Sequence, residues 1–218
     1  MNWKTKPTDR LILRFIKVQL SAPLSSLLLR IWPDIRPGLL TAMSAALGVA
    51  AGIVFGLGAA WAGGLLAGAS QILDGTDGQV ARLTQRESSQ GAFLDSVLDR
   101  YTDFALLFGM LLHALRFSSG CRVLGLTMHP GLLVLIAALA AAGSSQVSYA
   151  TARAANLNLA YRRPELVGKG TRTAVVVLSG LLTPLWVHFP LLGLTYLAVH
   201  PNIAVVTSLV RTSEHGGA

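Results

Sequence analysis

The strongest constraint on this chain is an uncharged run from Pro37 to Leu73. A single helix of that length would extend about 55 Å, whereas the hydrocarbon core of a bilayer is about 30 Å thick. The run must therefore fold back on itself. Glycines at positions 56, 58, 63 and 64 surround Trp61, and they predict the turn there.

Two further uncharged stretches, 123–152 and 173–210, extend the pattern. An apolar half-span, 104–115, lies between the run that ends at Leu73 and the stretch 123–152. Of all residues, 52% are hydrophobic and 13% charged, against about 25% charged in soluble domains. This composition excludes a disordered chain and disfavours a soluble globule. We predict an all-α polytopic membrane protein with six transmembrane helices, near 39–58, 61–83, 91–115, 131–154, 172–188 and 192–210.

The N-terminal stretch Asp9–Arg30 alternates apolar and basic side chains. This alternation predicts an amphipathic helix lying in the membrane interface, and the stretch lacks the order of a signal peptide. We therefore predict an interfacial helix in 1–36 and a six-helix domain in 37–218. Lys and Arg are concentrated in alternate connections between the predicted spans. This distribution predicts a multi-pass protein of the cell (inner) membrane with both termini in the cytoplasm. Because the net charge of +8 follows that alternation, we expect no nucleic-acid partner.

Small residues recur at every fourth position of the first predicted span, at Ser44, Gly48, Gly52 and Gly56. Such a stripe lets two helices approach closely, either within the bundle or across a homodimer interface. The single cysteine, Cys121, excludes an intrachain disulfide and a cysteine-based metal cluster.

Five of the ten acidic residues lie within the second and third predicted spans. Ionised groups at membrane depth are costly and mark functional sites by default. Their spacing of three or four residues places each set on one helix face, and antiparallel spans bring the two sets to similar depth. The five are Asp74, Asp77, Asp95, Asp99 and Asp103.

Converging carboxylates repel one another unless cations lie between them. Oxygen ligands without nearby His or Cys indicate Mg²⁺ or Mn²⁺, and this number of acids suits two ions acting on a phosphoryl group. A cation-coupled transporter is the alternative from another class, because intramembrane acids also mark ion paths. The grouping of the acids towards one side of the membrane disfavours it.

The segment from Asp74 to Asp99 resembles the signature of the CDP-alcohol phosphotransferase family. That signature is D-x-x-D-G-x-x-A-R, about eight residues, then G-x-x-x-D-x-x-x-D. All eight fixed positions match in order. The resemblance extends to the six-helix layout and is similar in detail to members that make phosphatidylinositol phosphate or di-myo-inositol phosphate phosphate.

The resemblance implies transfer of a phosphoalcohol group from a CDP-alcohol to a hydroxyl acceptor, with release of CMP. It implies that Asp99 is the catalytic base and that the metal ligands are Asp74, Asp77, Asp95 and Asp99. It further implies a nucleotide-binding set of Asp74, Gly75, Asp77, Gly78, Ala81, Arg82 and Gly91. Asp103 is interpreted either as a support for the ligands or as a partner for Arg100.

Three cations, Arg153, Lys169 and Arg172, suit an anionic acceptor such as inositol phosphate or glycerol phosphate. Alternatively, they only report membrane orientation. Members of the family use either CDP-diacylglycerol, which suits a site open to the bilayer, or CDP-inositol, which yields a soluble product. We favour the lipid donor, with membrane lipid and a second copy of the chain as further partners.

Overall fold

Helices form almost all of the described structure. The computed structural model describes residues 16–159 and 167–215, and its side chains from residue 19 to residue 210. A π-helical segment, Ile16–Ser21, leads into seven α-helices within these ranges. They are α1 Ala22–Ile31, α2 Pro37–Gly56, α3 Ala60–Leu83, α4 Ser89–Phe117, α5 Pro130–Asn156, α6 Lys169–Leu181 and α7 Phe189–His215.

The predicted helical fold is confirmed, and each of the six predicted segments corresponds to one helix, from α2 to α7. In the part of the chain that is described, three helices are long and apolar enough to cross a membrane: Pro37–Gly56, Pro130–Asn156 and Phe189–Val210. Both α3 and α4 carry aspartates along part of their length, which lowers their mean hydropathy. That all six helices cross the membrane stays a prediction.

The fifth segment was predicted to be too long, and both of its ends were placed too far along the chain. Instead of 172–188, the helix is the 13-residue α6, about 20 Å in length. A proline lacks the backbone N–H that a helix needs, and it disfavours a helical conformation of the residue before it. Pro184 and Pro190 both lie shortly after the end of α6. The chain therefore turns between α6 and α7.

The turn between α2 and α3 lies at residues 57–59, where Gly58 adopts a φ of +98°. Gly63 and Gly64, which counted among the turn signals although they fall in the predicted span 61–83, lie inside α3. A Cβ on Gly63 would come 2.5 Å from the Phe55 ring, and one on Gly64 would come 2.9 Å from the Val177 carbonyl oxygen. These two glycines therefore allow close packing rather than a change of chain direction.

Helix α2 packs along both α3 and α4. At its small-residue stripe the backbones almost touch: a Cβ on Gly109 would lie 2.1 Å from the Gly52 carbonyl oxygen. A Cβ on Gly52 would lie 2.3 Å from the Ala105 carbonyl oxygen, and one on Gly48 would meet Thr102. The stripe is thus covered by α4 within the bundle, and it does not offer a dimer interface.

We expect Gly109→Ala to destabilise the protein, because the added methyl group forces α2 and α4 apart. Overpacking of this kind costs about 1–3 kcal/mol, so the thermal unfolding midpoint in detergent falls by several degrees. Gly68→Ala is the matched control, since its Cβ would make only an ordinary 3.8 Å contact with Val177. Equal unfolding midpoints for the two variants would contradict the close packing.

A short β-hairpin between α4 and α5 was not predicted. Arg122–Val123 (β1) pairs antiparallel with Leu126–Thr127 (β2). The two residues between the strands, Leu124 and Gly125, both have positive φ, as a tight two-residue hairpin turn requires.

The N-terminal helix α1 packs against α3 through small polar residues. The Ser21 hydroxyl donates to the Ile72 carbonyl oxygen at 2.9 Å, and Ser25 is fully buried. Large apolar side chains on and next to α1, such as Leu27 and Ile31, are exposed. Residues 9–15 of the predicted interfacial helix lie outside the described residues.

Candidate active site

The five aspartates lie at the end of the bundle where α3 ends and α4 begins. Asp74 and Asp77 are on α3, and Asp95, Asp99 and Asp103 are on α4. Asp74, Asp95 and Asp99 each offer one carboxylate oxygen, and these three oxygens lie within 4.8 Å of one another. We call these three residues the acid cluster.

Asp77 lies outside the acid cluster and is hydrogen-bonded to helix α2. It is buried, at 7% exposure, and its Oδ2 accepts a hydrogen bond of 2.5 Å from the Thr41 hydroxyl. Of the four predicted metal ligands, the structure therefore brings three together and places the fourth in an adjoining cleft.

Lys169, the first residue of α6, reaches into the acid cluster. Its ammonium donates to Asp74 Oδ1 at 2.6 Å and also to Asp99 Oδ1. The three side chains are 17–25% exposed. The sequence placed Lys169 in an acceptor pocket, and its contacts in this structure are with the acid cluster.

Arg172, one turn further along α6, is buried and bound to α4. Its guanidinium donates to Asp103 Oδ2 at 3.0 Å and to the Val167 carbonyl oxygen at 3.0 Å. Asp103 also forms an ion pair with Arg100, at 3.0 Å. Asp103 thus contacts both arginines, and with Arg172 it fixes the start of α6 against α4.

Two cavities adjoin the acidic residues and share a wall. The smaller one is lined by the acid cluster, Lys169 and the small side chains around them. The larger is an open cleft of about 560 Å³, lined by Asp77, by both ends of the α3–α4 connection and by the start of α2. Thr41 and Asp95 line both cavities.

The cleft brings together most of the predicted nucleotide-binding residues: Asp77, Gly78, Ala81, Arg82 and Gly91 all line it. An Arg82 Nη2 lies 3.8 Å from where a Gly78 Cβ would be, so the guanidinium covers this glycine. The N-terminal turn of α4 also faces the cleft, and its Gly91 N–H is capped by the Ser88 hydroxyl at 3.0 Å.

The other two predicted nucleotide-binding residues do not line the cleft. Asp74 lines the smaller cavity. Gly75 is buried one turn deeper in α3 than Gly78. The helical repeat explains the difference, because residues that are close in the signature lie at different depths along α3.

Arg153 is exposed in the last turn of α5. It is absent from the residues that line the two cavities around the acidic residues. The structure therefore brings Lys169 and Arg172 towards the aspartates and leaves Arg153 apart.

The donor set fits a divalent cation. The acid cluster supplies oxygen ligands, and among the described residues that line its cavity there is no His or Cys. Such ligands suit Mg²⁺ or Mn²⁺. The position of the Lys169 ammonium between Asp74 and Asp99 shows independently that this place attracts positive charge.

Two residues that contact the aspartates were missed from the sequence. Thr41 lies in the long uncharged run, and Gln71 donates from Nε2 to Asp74 Oδ2 at 3.2 Å. Neither belongs to a motif, and only the spacing of Gln71, three residues before Asp74, indicated that the two could meet.

We expect Thr41→Val to weaken the site without unfolding the protein, because valine keeps the side-chain shape and removes the hydroxyl that holds Asp77. Loss of such a supporting hydrogen bond costs about 10–100-fold in metal affinity or activity. Thr195→Val on α7 is the control, since that hydroxyl donates to the Leu191 carbonyl oxygen of its own helix and has no second partner among the described residues. A Thr41→Val protein with the Mn²⁺ affinity and rate of the control would contradict this role.

Comparison with known proteins identifies the class that this helical fold and acidic site define. Residues 35–210 match the model of the CDP-alcohol phosphatidyltransferase family. The chain is 34% identical over 163 residues to archaetidylinositol phosphate synthase of Aeropyrum pernix, covering 75% of this chain and 74% of that protein. The chain belongs to the CDP-alcohol phosphatidyltransferase family, whose members are transferases of substituted phosphate groups, so an enzyme is favoured over a transporter.

Two further relatives refine the comparison. A bifunctional IPC transferase and DIPP synthase of Aquifex aeolicus is 53% identical over 51 residues, which are 23% of this chain and 12% of that protein. The fold resembles that of phosphatidylinositol phosphate synthase of Mycobacterium tuberculosis, solved with manganese and citrate, with a TM-score of 0.73 and 24% identity. That match covers 88% of each chain.

Proposed function

We propose that this protein transfers a phosphatidyl group from CDP-diacylglycerol to the hydroxyl of a small phosphorylated polyol, and that it releases CMP. The acceptor is an inositol phosphate or glycerol phosphate, and the product enters phospholipid biosynthesis. The observation that carries this proposal is the shared wall between the nucleotide-sized cleft and the acid cluster. A donor bound in the cleft can place its phosphates beside the cluster through Thr41 and Asp95.

The cleft supports the donor assignment by its size, charge and backbone. Its volume of about 560 Å³ lies within the range of about 300–1,000 Å³ typical of ligand pockets. Arg82 supplies a guanidinium, which binds phosphate oxygens in a bidentate manner, and the N-terminus of α4 favours anions. Gly78 and Gly91 leave room for the nucleotide near the backbone. Exposed Phe93, at 71%, adds an apolar surface.

We propose that Asp74, Asp77, Asp95 and Asp99 hold two divalent ions, Mg²⁺ or Mn²⁺, when substrate is bound. Such ions neutralise charge on the transferring phosphoryl group and lower the pKa of a bound hydroxyl. Asp99 accepts the proton from the acceptor hydroxyl as that oxygen approaches phosphorus. Thr41 orients Asp77, while Arg172 holds α6 beside the site.

The acceptor assignment rests on charge and on the relatives. Lys169 places one cation in the acid cluster and Arg172 places a second one beside Asp103, and Arg153 lies in the last turn of the helix that precedes them. Charged donors of this kind bind phosphate. The relative from Aeropyrum pernix is named for an inositol phosphate product.

A CDP-inositol donor is the second candidate. It is favoured by the local identity to the bifunctional protein of Aquifex aeolicus, whose name includes DIPP synthase. In that case the product would be a soluble phosphodiester rather than a lipid.

The membrane arrangement that we propose has six crossing helices in 37–218 and an interfacial helix in 1–36. The protein lies in the cell (inner) membrane, and both termini and the site face the cytoplasm, since basic residues cluster at that side. A homodimer would use a surface other than the stripe on α2, which α4 covers.

The experiment that tests the proposal is CMP release by the purified chain with Mg²⁺, crossing both donors with inositol phosphate, glycerol phosphate and uncharged inositol. We expect release with CDP-diacylglycerol and a phosphorylated acceptor. Release only with CDP-inositol would favour the second candidate. Binding of neither CDP-alcohol would contradict the proposed function.

A further inference from the structure

Lys169 occupies an unusual position for a cation. It is the first residue of α6, where the positive end of the helix dipole disfavours an ammonium group. Its two carboxylate partners, Asp74 and Asp99, lie far away in the sequence. The carboxylates, rather than the helix, therefore hold the ammonium in place.

The ammonium binds to two of the three carboxylates that could ligate a divalent ion. The three carboxylate oxygens of the acid cluster that lie within 4.8 Å of one another come from Asp74, Asp95 and Asp99, and Lys169 contacts two of these residues. An ion ligated by Asp74 and Asp99 would lie within a few ångströms of the ammonium. Two like charges at that distance repel each other strongly in a partly buried site, so the two cations exclude each other.

The surrounding contacts allow the lysine to leave without a movement of its helix. Arg172 remains bonded to Asp103 and to the Val167 carbonyl oxygen, which fixes the first turn of α6. The lysine stem has four methylene groups and rotates freely. Its side chain is 25% exposed, so part of it already lies at the surface of the site.

We propose that Lys169 is a built-in counter-ion that exchanges with the divalent metal. Without metal, its ammonium neutralises Asp74 and Asp99 and keeps the site assembled. Metal binding releases the ammonium into the cavity, where its charge meets an anionic substrate. This inference rests on the metal site of the proposed function, and it couples metal loading to substrate binding through one side chain.

Amine labelling tests the exchange directly, because the chain has four lysines and the other three, Lys4, Lys6 and Lys17, lie near the N-terminus. The full-length protein is acetylated briefly with and without Mn²⁺, and mass spectrometry quantifies each lysine. We expect Mn²⁺ to speed labelling of Lys169 at least about fivefold, since only the released state reacts. Lys4 and Lys6 serve as internal references and keep their rates.

The Mn²⁺ spin-resonance signal of the same samples reports how much ion is bound. Bound Mn²⁺ with unchanged or slower labelling of Lys169 overturns the exchange and leaves the proposed function standing. If the wild-type chain binds no Mn²⁺ and Lys169→Met does, the lysine is a permanent substitute for the ion, and the exchange is wrong. If neither binds Mn²⁺, both the exchange and the metal site of the proposed function fail.

The Lys169→Met variant also gives a quantitative readout. We expect its Mn²⁺ affinity to rise about tenfold, because the competing cation is gone, and its metal-free form to unfold at a lower temperature. Arg122→Met, in the exposed hairpin, is the control for the loss of one positive charge. An equal gain in affinity in both variants would indicate a general charge effect and overturn the exchange.

Discussion

Replacing Asp99 by asparagine is expected to lower the rate of CMP release at least about a thousandfold. A positioned general base contributes about 10²–10⁴-fold, and the same substitution removes one charge from the acid cluster. The amide keeps the shape of the side chain but cannot accept the proton of the acceptor hydroxyl. Because Asp99 does not line the cleft, the variant should still bind the CDP-alcohol, as measured by equilibrium binding of labelled donor.

Asp34→Asn is the matched control for this experiment. It is the same substitution at a side chain that is 89% exposed and whose only ion pair in the described part of the chain, with Arg86, is 3.4 Å long. Exposed pairs of this kind contribute about 0–1 kcal/mol, so we expect a rate within twofold of wild type. A rate for Asp99→Asn within tenfold of the control would exclude Asp99 as the base.

Removal of divalent metal is expected to abolish turnover completely. In the proposed mechanism, the carboxylates of Asp74, Asp95 and Asp99 lie beside the anionic phosphates of the donor, and without divalent ions the carboxylates repel the phosphates. Dialysis against EDTA should reduce CMP release to background, and Mg²⁺ or Mn²⁺ should restore it. Metal content is measured in the same samples by mass spectrometry of the elements.

Adding Ca²⁺ to the metal-free protein tests whether the reaction requires a particular ion or only the neutralisation of negative charge. Mg²⁺ demands near-octahedral oxygen ligands, whereas Ca²⁺ tolerates more ligands at longer distance. We therefore expect Ca²⁺ to bind and restore little activity. Undiminished CMP release from protein that holds far less than one metal ion per chain would refute the metal-dependent mechanism.

Charge and turn signals predicted the helical layout, because an uncharged run longer than a bilayer has few ways to fold. They were ambiguous where one signal had two physical meanings. Gly63 and Gly64 favour a turn in a sequence pattern, yet a missing side chain also permits close helix packing, as it does against Phe55 and Val177. The end of α6 was misplaced because its apolar residues continue past the point where the helix stops.

The signature predicted which aspartates meet, since a regular helix fixes the side on which each one lies. It did not predict that Asp77 accepts a hydrogen bond from Thr41, because Thr41 lies in a different helix. The position of Lys169 inside the cluster was also beyond its reach, since α6 begins 70 residues after Asp99 in the sequence. Contacts across such separations come from packing rather than from local spacing.

The shared wall of Thr41 and Asp95 also separates two parts of the site, the cleft and the cavity of the acid cluster, that can change independently in evolution. Nearly everything around the cleft comes from one short stretch of chain, whereas Lys169, which contacts the acid cluster, comes from α6. Under the proposed function, substitutions in α6 are therefore expected to alter which alcohol is accepted and to leave nucleotide binding intact. A fold arranged in this way lends itself to divergence into enzymes that share one donor chemistry and make different products.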